Sequence, residues 1–115
     1  MLVVAPLSIL GVWEEEFQKF AAYPYALAVL SGSSAKKLDT LRHMNGIALQ
    51  VVVVNYESAW RMEKALAAWR PDLIIADEGH KIKTHNISAS KAMHRLGAAA
   101  RYRLLLTGTL ITNKA

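Results

Sequence analysis

Five short apolar runs, separated by segments of helical periodicity, limit what this chain of 115 residues can fold into. Each run is too short for a buried helix and is apolar on both faces, which is typical of a strand covered on both sides. Strands that alternate with helices indicate a parallel sheet between two helical layers. The sequence therefore predicts one α/β domain with a three-layer parallel sheet, whose strands lie at residues 2–5, 25–30, 51–54, 73–76 and 103–106.

Helical periodicity between the runs predicts the helices that cover this sheet. Ser8 is expected to cap the first helix, in which Trp13 and Phe17 share one face with Ile9 and Phe20. The tryptophans occur at helical spacing among apolar residues, so we expect them to pack in the core rather than to stack on bases. Further helices are predicted after residue 34, ending near residue 45, and at residues 58–69 and 88–96.

Composition excludes several classes of protein. No apolar run reaches the roughly 20 residues that a membrane span needs, and the amino terminus shows no secretory signal pattern. The absence of cysteine excludes disulfides and thiolate metal sites, and it is consistent with a reducing compartment.

The positive charge is concentrated in the last third of the chain. Residues 1–80 contain 7 Lys and Arg against 9 Asp and Glu, whereas residues 81–115 contain 7 Lys and Arg and no acid. A block of one sign favours a polyanionic partner such as nucleic acid. It is equally typical of a solvated helix face whose acidic partners lie elsewhere in a larger protein.

Two adjacent carboxylates, Asp77 and Glu78, follow the fourth predicted strand. In a parallel sheet, ligands bind beyond the carboxyl ends of the strands. Because side chains alternate in direction, one carboxylate can hold Mg²⁺ through water while the other orients or deprotonates an attacking water. The pattern predicts a site for phosphoryl transfer, and the alternative is a surface Asp–Glu pair that opens a loop.

Polar residues also end other predicted strands at the same rim of the sheet. Residues 6–8 and 55–57 combine small polar groups with helix amino termini, which suits the phosphates of a nucleic-acid backbone, although helix capping explains the same pattern. The turn Thr107-Gly108-Thr109 offers two hydroxyls and a glycine that lets the backbone approach a ligand or a neighbouring loop. A plain turn is the alternative for these three residues.

His80 lies two residues beyond the carboxylate pair. Its spacing from His85 and His94 is poor for a shared helix face, and no set of three ligands is present, so a zinc site is disfavoured. A hydrogen-bonding switch between the nucleotide site and another element is favoured, and an ordinary surface histidine is the alternative.

Taken in order, these segments resemble the Swi/Snf-type DNA translocases of helicase superfamily two. They correspond to motifs Ia, Ib, II (the Walker B or DEAH-like box) and III of that family. The resemblance implies that residues 1–115 are a partial first RecA-like domain, the ATP-binding lobe of a motor that uses ATP and Mg²⁺ to move along duplex DNA. The segments that carry it are residues 2–8 with Trp13, Glu16 and Phe17, residues 53–57, residues 77–83, and residues 104–109 with Asn113.

The same resemblance implies roles for individual residues. Asp77 would organise Mg²⁺ through water, and Glu78 would activate the hydrolytic water. The residues that would couple the nucleotide state to DNA contact are His80, Thr107, Gly108 and Thr109. The residues that would lie along the DNA backbone are Pro6, Leu7, Ser8, Asn55 and Tyr56.

Two features depart from the family pattern. Leu110 and Thr112 stand where the family usually has a proline and a glutamine. No glycine of the chain is followed by lysine, so the phosphate-binding loop, which in the family lies just before residue 2, is absent. The second RecA-like lobe, with its arginine finger, would follow residue 115. We therefore expect a fragment that hydrolyses ATP negligibly by itself.

Without the strand of the phosphate-binding loop, the sheet is expected to be incomplete. In the family that strand pairs with the one equivalent to residues 103–106, so we expect an unpaired apolar edge here and self-association through it. The alternative function is a non-catalytic remnant that binds nucleic acid or a protein through its basic third. An α/β hydrolase is disfavoured, because the chain has no Gly-x-Ser-x-Gly elbow. The location would be nuclear in a eukaryote, and cytoplasmic or at the nucleoid in a prokaryote or phage.

Overall fold

The computed structural model of the chain describes residues 1–46, 48–77 and 87–106. Within these ranges five strands form a single sheet, and every pair of neighbouring strands is parallel. The predicted α/β fold with a parallel sheet is confirmed. The strands are β1 (Leu2–Ala5), β2 (Tyr25–Val29), β3 (Leu49–Asn55), β4 (Leu73–Ala76) and β5 (Tyr102–Leu105), and their order across the sheet is β2-β3-β1-β4-β5.

Each connection between consecutive strands contains at least one helix, as a parallel sheet requires. Among the described residues, no helix is long and apolar enough to cross a membrane, and the longest has 13 residues. The helices are α1 (Leu10–Phe20), α2 (Ser34–Arg42), α3 (Tyr56–Arg61), α4 (Glu63–Trp69) and α5 (Ile87–Ala99), with a 3₁₀ turn (Leu7–Ile9) before α1.

The core lies on both faces of the sheet, because successive side chains of a strand point to opposite sides. In β1, Val3 and Ala5 belong to the apolar cluster beneath α1. Leu2 and Val4 belong to the larger cluster on the other face, which α2, α3, α4 and α5 cover. Among the described residues, one helix covers one face of the sheet and four cover the other, so the three predicted layers are present.

The prediction that Ser8 caps the first helix is wrong. The backbone N–H of Ile9 donates to the carbonyl of Pro6 at 3.0 Å, so the chain makes a 3₁₀ turn directly after β1. Ser8 lies inside that turn, and α1 begins later, at Leu10, with no side chain bonded at its cap. Ile9, rather than Ser8, therefore occupies the cap position of α1.

The single helix predicted at residues 58–69 is two helices, α3 and α4, separated at Met62. The first starts earlier than predicted, at Tyr56, because the Asn55 side chain accepts a hydrogen bond of 2.7 Å from the backbone N–H of Ser58 and caps it. Backbone hydrogen bonds from Met62 to Ser58 and from Leu66 to Met62 continue across the break. The two short helices therefore follow nearly the path of the one predicted.

At one edge of the sheet, β5 pairs with β4 and with no other strand among the described residues. Its four residues are all exposed. The exposed apolar edge expected from the sequence is present in the described part of the chain.

Candidate functional site at the carboxyl ends of the strands

Asp77, the first residue after β4, is held at three points by three different elements. Its backbone N–H donates to the carbonyl of Val4 at 2.8 Å, which extends the pairing of β4 with β1 by one residue. The hydroxyl of Tyr56, at the start of α3, donates to the Asp77 carbonyl at 2.6 Å. The indole N–H of Trp13 in α1 donates to Asp77 Oδ2 at 2.9 Å. Both the backbone and the carboxylate are thereby fixed at the rim.

Among the described residues, nothing bonds one oxygen of the Asp77 carboxylate or pairs with its charge. The residue is half-buried, and Oδ1 accepts no hydrogen bond from any described residue. Within residues 1–46, 48–77 and 87–106, no Lys, Arg or His forms an ion pair with it. A hard cation would find an unneutralised carboxylate at this position. The described residues contain no cluster of three or more His, Asp or Glu side chains that could surround a metal ion directly.

Several predicted site residues lie outside the described residues, namely Glu78, His80, Thr107, Gly108 and Thr109. The residue before the last three, Leu106, donates its backbone N–H to the carbonyl of Ala76 at 2.9 Å. Leu106 therefore lies alongside Ala76, the residue that precedes Asp77.

The predicted nucleic-acid contacts at residues 6–8 lie on the turn that follows β1, at the same rim. Leu7 is 72% exposed, Ser8 is also exposed, and Pro6 is half-buried. The exposed side chain of Leu7 contacts none of the core clusters. The turn therefore presents an apolar and a hydroxyl side chain outward, together with its backbone.

The other two predicted contacts, Asn55 and Tyr56, also lie at the rim, but their side chains are engaged within the protein. Asn55 caps α3 through its side-chain oxygen. Tyr56 is 7% exposed, and its ring belongs to the larger core cluster while its hydroxyl bonds Asp77. Both residues shape the rim through the conformation of α3.

Trp13 is the site residue that sequence reasoning missed. We expected its ring to pack in the core, and it does pack against the cluster beneath α1. Its N–H, however, reaches the Asp77 carboxylate. The sequence could predict that the Trp13 N–H has a hydrogen-bond partner, since a buried indole N–H usually finds one. It could not predict which partner, because Asp77 lies 64 positions away and only the fold brings it near.

A second polar cluster lies at the carboxyl end of β3, beside the first. The ammonium of Lys37, from α2, donates to the buried hydroxyl of Ser58 at 2.7 Å. The neighbouring Arg61 pairs with Glu57 at 2.7 Å, and both of these side chains are exposed. This part of the rim therefore carries positive charge that the sequence pattern did not single out.

The comparison with known families covers the whole chain. The SNF2-related domain matches residues 1–115.

The chain is also similar to curated proteins that are named as ATP-dependent helicases. The probable ATP-dependent DNA helicase CHR23 of Arabidopsis thaliana is 34% identical over 113 residues, which are 97% of this chain and 10% of that protein. The ATP-dependent helicase brm of Drosophila melanogaster is 34% identical over 115 residues, 98% of this chain and 7% of that protein. The ATP-dependent helicase fft1 of Schizosaccharomyces pombe is 33% identical over 115 residues, 97% of this chain and 12% of that protein. The chain thus spans about a tenth of the length of these relatives.

Proposed function

The chain belongs to the SNF2-related domain family, and from that premise we propose that it forms part of the first RecA-like lobe of an ATP-dependent DNA translocase. Its matched relatives are named as ATP-dependent helicases. In this proposal residues 1–115 supply one carboxylate-bearing wall of the nucleotide site and part of the track for duplex DNA. A second RecA-like lobe is the partner that completes the site.

The observation that carries the proposal is the anchoring of Asp77 at the carboxyl end of β4. Magnesium in phosphoryl-transfer sites is commonly held by one or two carboxylates, with waters and substrate phosphates as the remaining ligands. A single fixed carboxylate, with one oxygen that no described residue bonds, fits that requirement. When bound, Mg²⁺ neutralises charge on the phosphate oxygens of ATP. Asp77 would hold the ion through water, and Glu78 would orient the water that attacks.

Duplex DNA is proposed to lie along the rim formed by the turn after β1. Backbone amides and hydroxyls in such turns bind phosphates without reading base sequence. Leu7 and Ser8 are exposed there, and Pro6 sets the entry of the chain into the turn. His80 and the Thr107-Gly108-Thr109 turn are proposed to report the nucleotide state to this surface.

The hydrolytic part of the proposal can be tested in a chimera. The segment of the Drosophila relative that this chain matches is replaced by residues 1–115, and ATP hydrolysis is measured with and without duplex DNA. We expect turnover that DNA stimulates and that Asp77→Ala or Glu78→Gln abolishes. The control is Asp39→Asn, which alters an exposed carboxylate in α2. An active chimera that tolerates both site substitutions would refute the assignment of these carboxylates.

The 115-residue chain by itself is expected to hydrolyse ATP negligibly, because the elements that bind phosphate and stabilise the transition state are contributed elsewhere. Measurement of ATP turnover on the purified chain, with duplex DNA present, checks this. Robust turnover that Glu78→Gln abolishes would contradict it.

The basic carboxyl-terminal third favours a second candidate, a non-catalytic module that binds nucleic acid. In the described part of this third, Lys91, Arg95, Arg101 and Arg103 are all exposed. Such a module would bind duplex DNA without nucleotide, and the logarithm of its affinity would fall linearly with the logarithm of salt concentration. Affinity that ATP leaves unchanged, together with an inactive chimera, would favour this candidate.

A further inference from the structure

We propose that Trp13 is a positioning residue for the Asp77 carboxylate, an inference that rests on the magnesium role proposed for Asp77. The Trp13 indole N–H donates to Asp77 Oδ2 at 2.9 Å. The two residues come from different layers, since Trp13 lies in the helix that covers one face of the sheet and Asp77 follows a strand. The bond is therefore a tertiary contact between α1 and the candidate metal site.

The hydrogen bond from the Trp13 indole restricts the side-chain torsions of Asp77, which the hydrogen bonds to its backbone leave free. Hydrogen bonds to Val4 and from Tyr56 fix the backbone of Asp77, but they do not fix its side-chain torsions. The last torsion of an aspartate is broad, so an unanchored carboxylate rotates readily. The N–H of Trp13 holds Oδ2 and thereby turns Oδ1 to a defined direction. A bond to an ionised acceptor is also stronger than one between neutral groups.

The indole is itself held by packing, so it acts as a fixed point. The Trp13 ring packs against the apolar cluster beneath α1, together with Phe17 one turn further along the helix. The helix in turn begins directly after the Leu7–Ile9 turn. Any shift of α1 that follows contact at this turn would move the indole and with it the carboxylate.

The chain offers an internal reference for this role. Trp69 also donates its indole N–H, to the carbonyl of Met44 at 2.7 Å, on the opposite face of the sheet. Trp69→Phe therefore removes an indole hydrogen bond of similar length without touching Asp77.

The experiment follows the indole resonances of the ¹⁵N-labelled chain and its affinity for Mn²⁺, which serves as a probe for Mg²⁺. We expect Asp77→Ala to shift the Trp13 indole resonance and to leave that of Trp69 unchanged. We expect Mn²⁺ to broaden the Trp13 resonance in the unaltered chain but not in Asp77→Ala. Loss of a hydrogen bond to a metal-binding group typically costs 10–100-fold in affinity, so Trp13→Phe should weaken Mn²⁺ binding about tenfold. Trp69→Phe should leave Mn²⁺ affinity nearly unchanged.

Three outcomes would overturn the inference, and they are distinguishable. A Trp13 resonance that Asp77→Ala does not shift would refute the hydrogen bond, and this measurement does not depend on the folding of Trp13→Phe. Unchanged Mn²⁺ affinity in Trp13→Phe would refute the positioning role but leave the metal role of Asp77 intact. If the unaltered chain shows no Mn²⁺ binding that depends on Asp77, the proposed metal role fails and the positioning role fails with it.

Discussion

The strands β1 and β5 flank the same strand, β4, and both pair with it in parallel, yet their surroundings are opposite. All four residues of β1 are 0% exposed. In β5, Tyr102, Leu104 and Leu105 are 60%, 49% and 61% exposed. Apolar residues with similar strand preference are therefore fully buried in β1 and largely exposed to solvent in β5. The difference shows that position in the sheet order, rather than residue type, decides burial.

The cause is the number of neighbours on each side. A strand inside the sheet has both edges paired and both faces covered, and β1 lies between β3 and β4 with helices above and below. An edge strand leaves a row of unpaired N–H and C=O groups, which can pair with another chain. On this reasoning, we propose that β5 has enough free edge to bind a further strand, which in the isolated chain comes from a second copy.

The largest expected effect is on the free energy of unfolding. The same substitution, leucine to alanine, in β1 and in β5 tests directly whether the two strands differ in packing. Leu2→Ala should lower the free energy of unfolding by about 2–5 kcal/mol, because it leaves a cavity in a packed core. Leu105→Ala should change it by less than about 0.5 kcal/mol, as is usual for exposed positions. Urea denaturation of both variants measures the two values. Equal losses of stability would show that β5 is as well packed as β1.

An intermediate effect is expected on association through β5. Sedimentation of the isolated chain should show concentration-dependent self-association, and Leu105→Lys should abolish it because lysine on an edge strand opposes pairing. The control is Tyr23→Lys, which changes an equally exposed apolar residue between α1 and β2. A compact monomer at all concentrations would contradict the proposal.

The smallest effect concerns the ion pair that ties α5 to α4 on the β5 side of the molecule. The Arg95 guanidinium donates two hydrogen bonds to the carboxylate of Glu63, at 2.6 and 2.7 Å. These bonds hold the pKa of Glu63 below its ordinary value of 4.5. The pair therefore adds stability above that pH, and the contribution is lost as the pH falls through the lowered pKa.

Because Arg95 is exposed and Glu63 is only half-buried, the contribution of the pair should be small and sensitive to salt. Comparison of the unfolding free energy at pH 7 and pH 3 in the unaltered chain and in Arg95→Met measures it. The variant should lose slightly less stability on acidification than the unaltered chain. An identical acid dependence in the two proteins would show that the pair contributes nothing.

The strands were predictable from the sequence because each is a short run of apolar, mostly β-branched residues between polar segments. The four valines at residues 51–54 are the clearest case, and all four are buried. The prediction that Ser8 caps α1 failed because residue type alone does not determine where a helix begins. Ser8 has the side chain of a capping residue, but the geometry after Pro6 favours a 3₁₀ turn first.

The candidate site was predictable to the level of which residues reach the rim. The rule that parallel strands deliver polar residues at their carboxyl ends placed Asp77, Pro6 and Asn55 correctly at that rim. It could not say which side chains contact each other. The bond between Trp13 and Asp77 depends on how α1 packs across the sheet, and no local pattern encodes that packing.

The central position of β1 also has a consequence for how the chain folds as it is synthesised. Leu2 precedes both of its register partners in the sheet, Val52 and Ile74, by many residues. The most buried strand therefore remains unpaired until about half of these 115 residues have been synthesised. Contacts between residues so far apart in sequence form slowly, and apolar segments that remain exposed in the meantime are prone to aggregate. Of the five described strands, β1 is thus synthesised first and enclosed late, so it is the one that a chaperone bound to the nascent chain would have to cover longest.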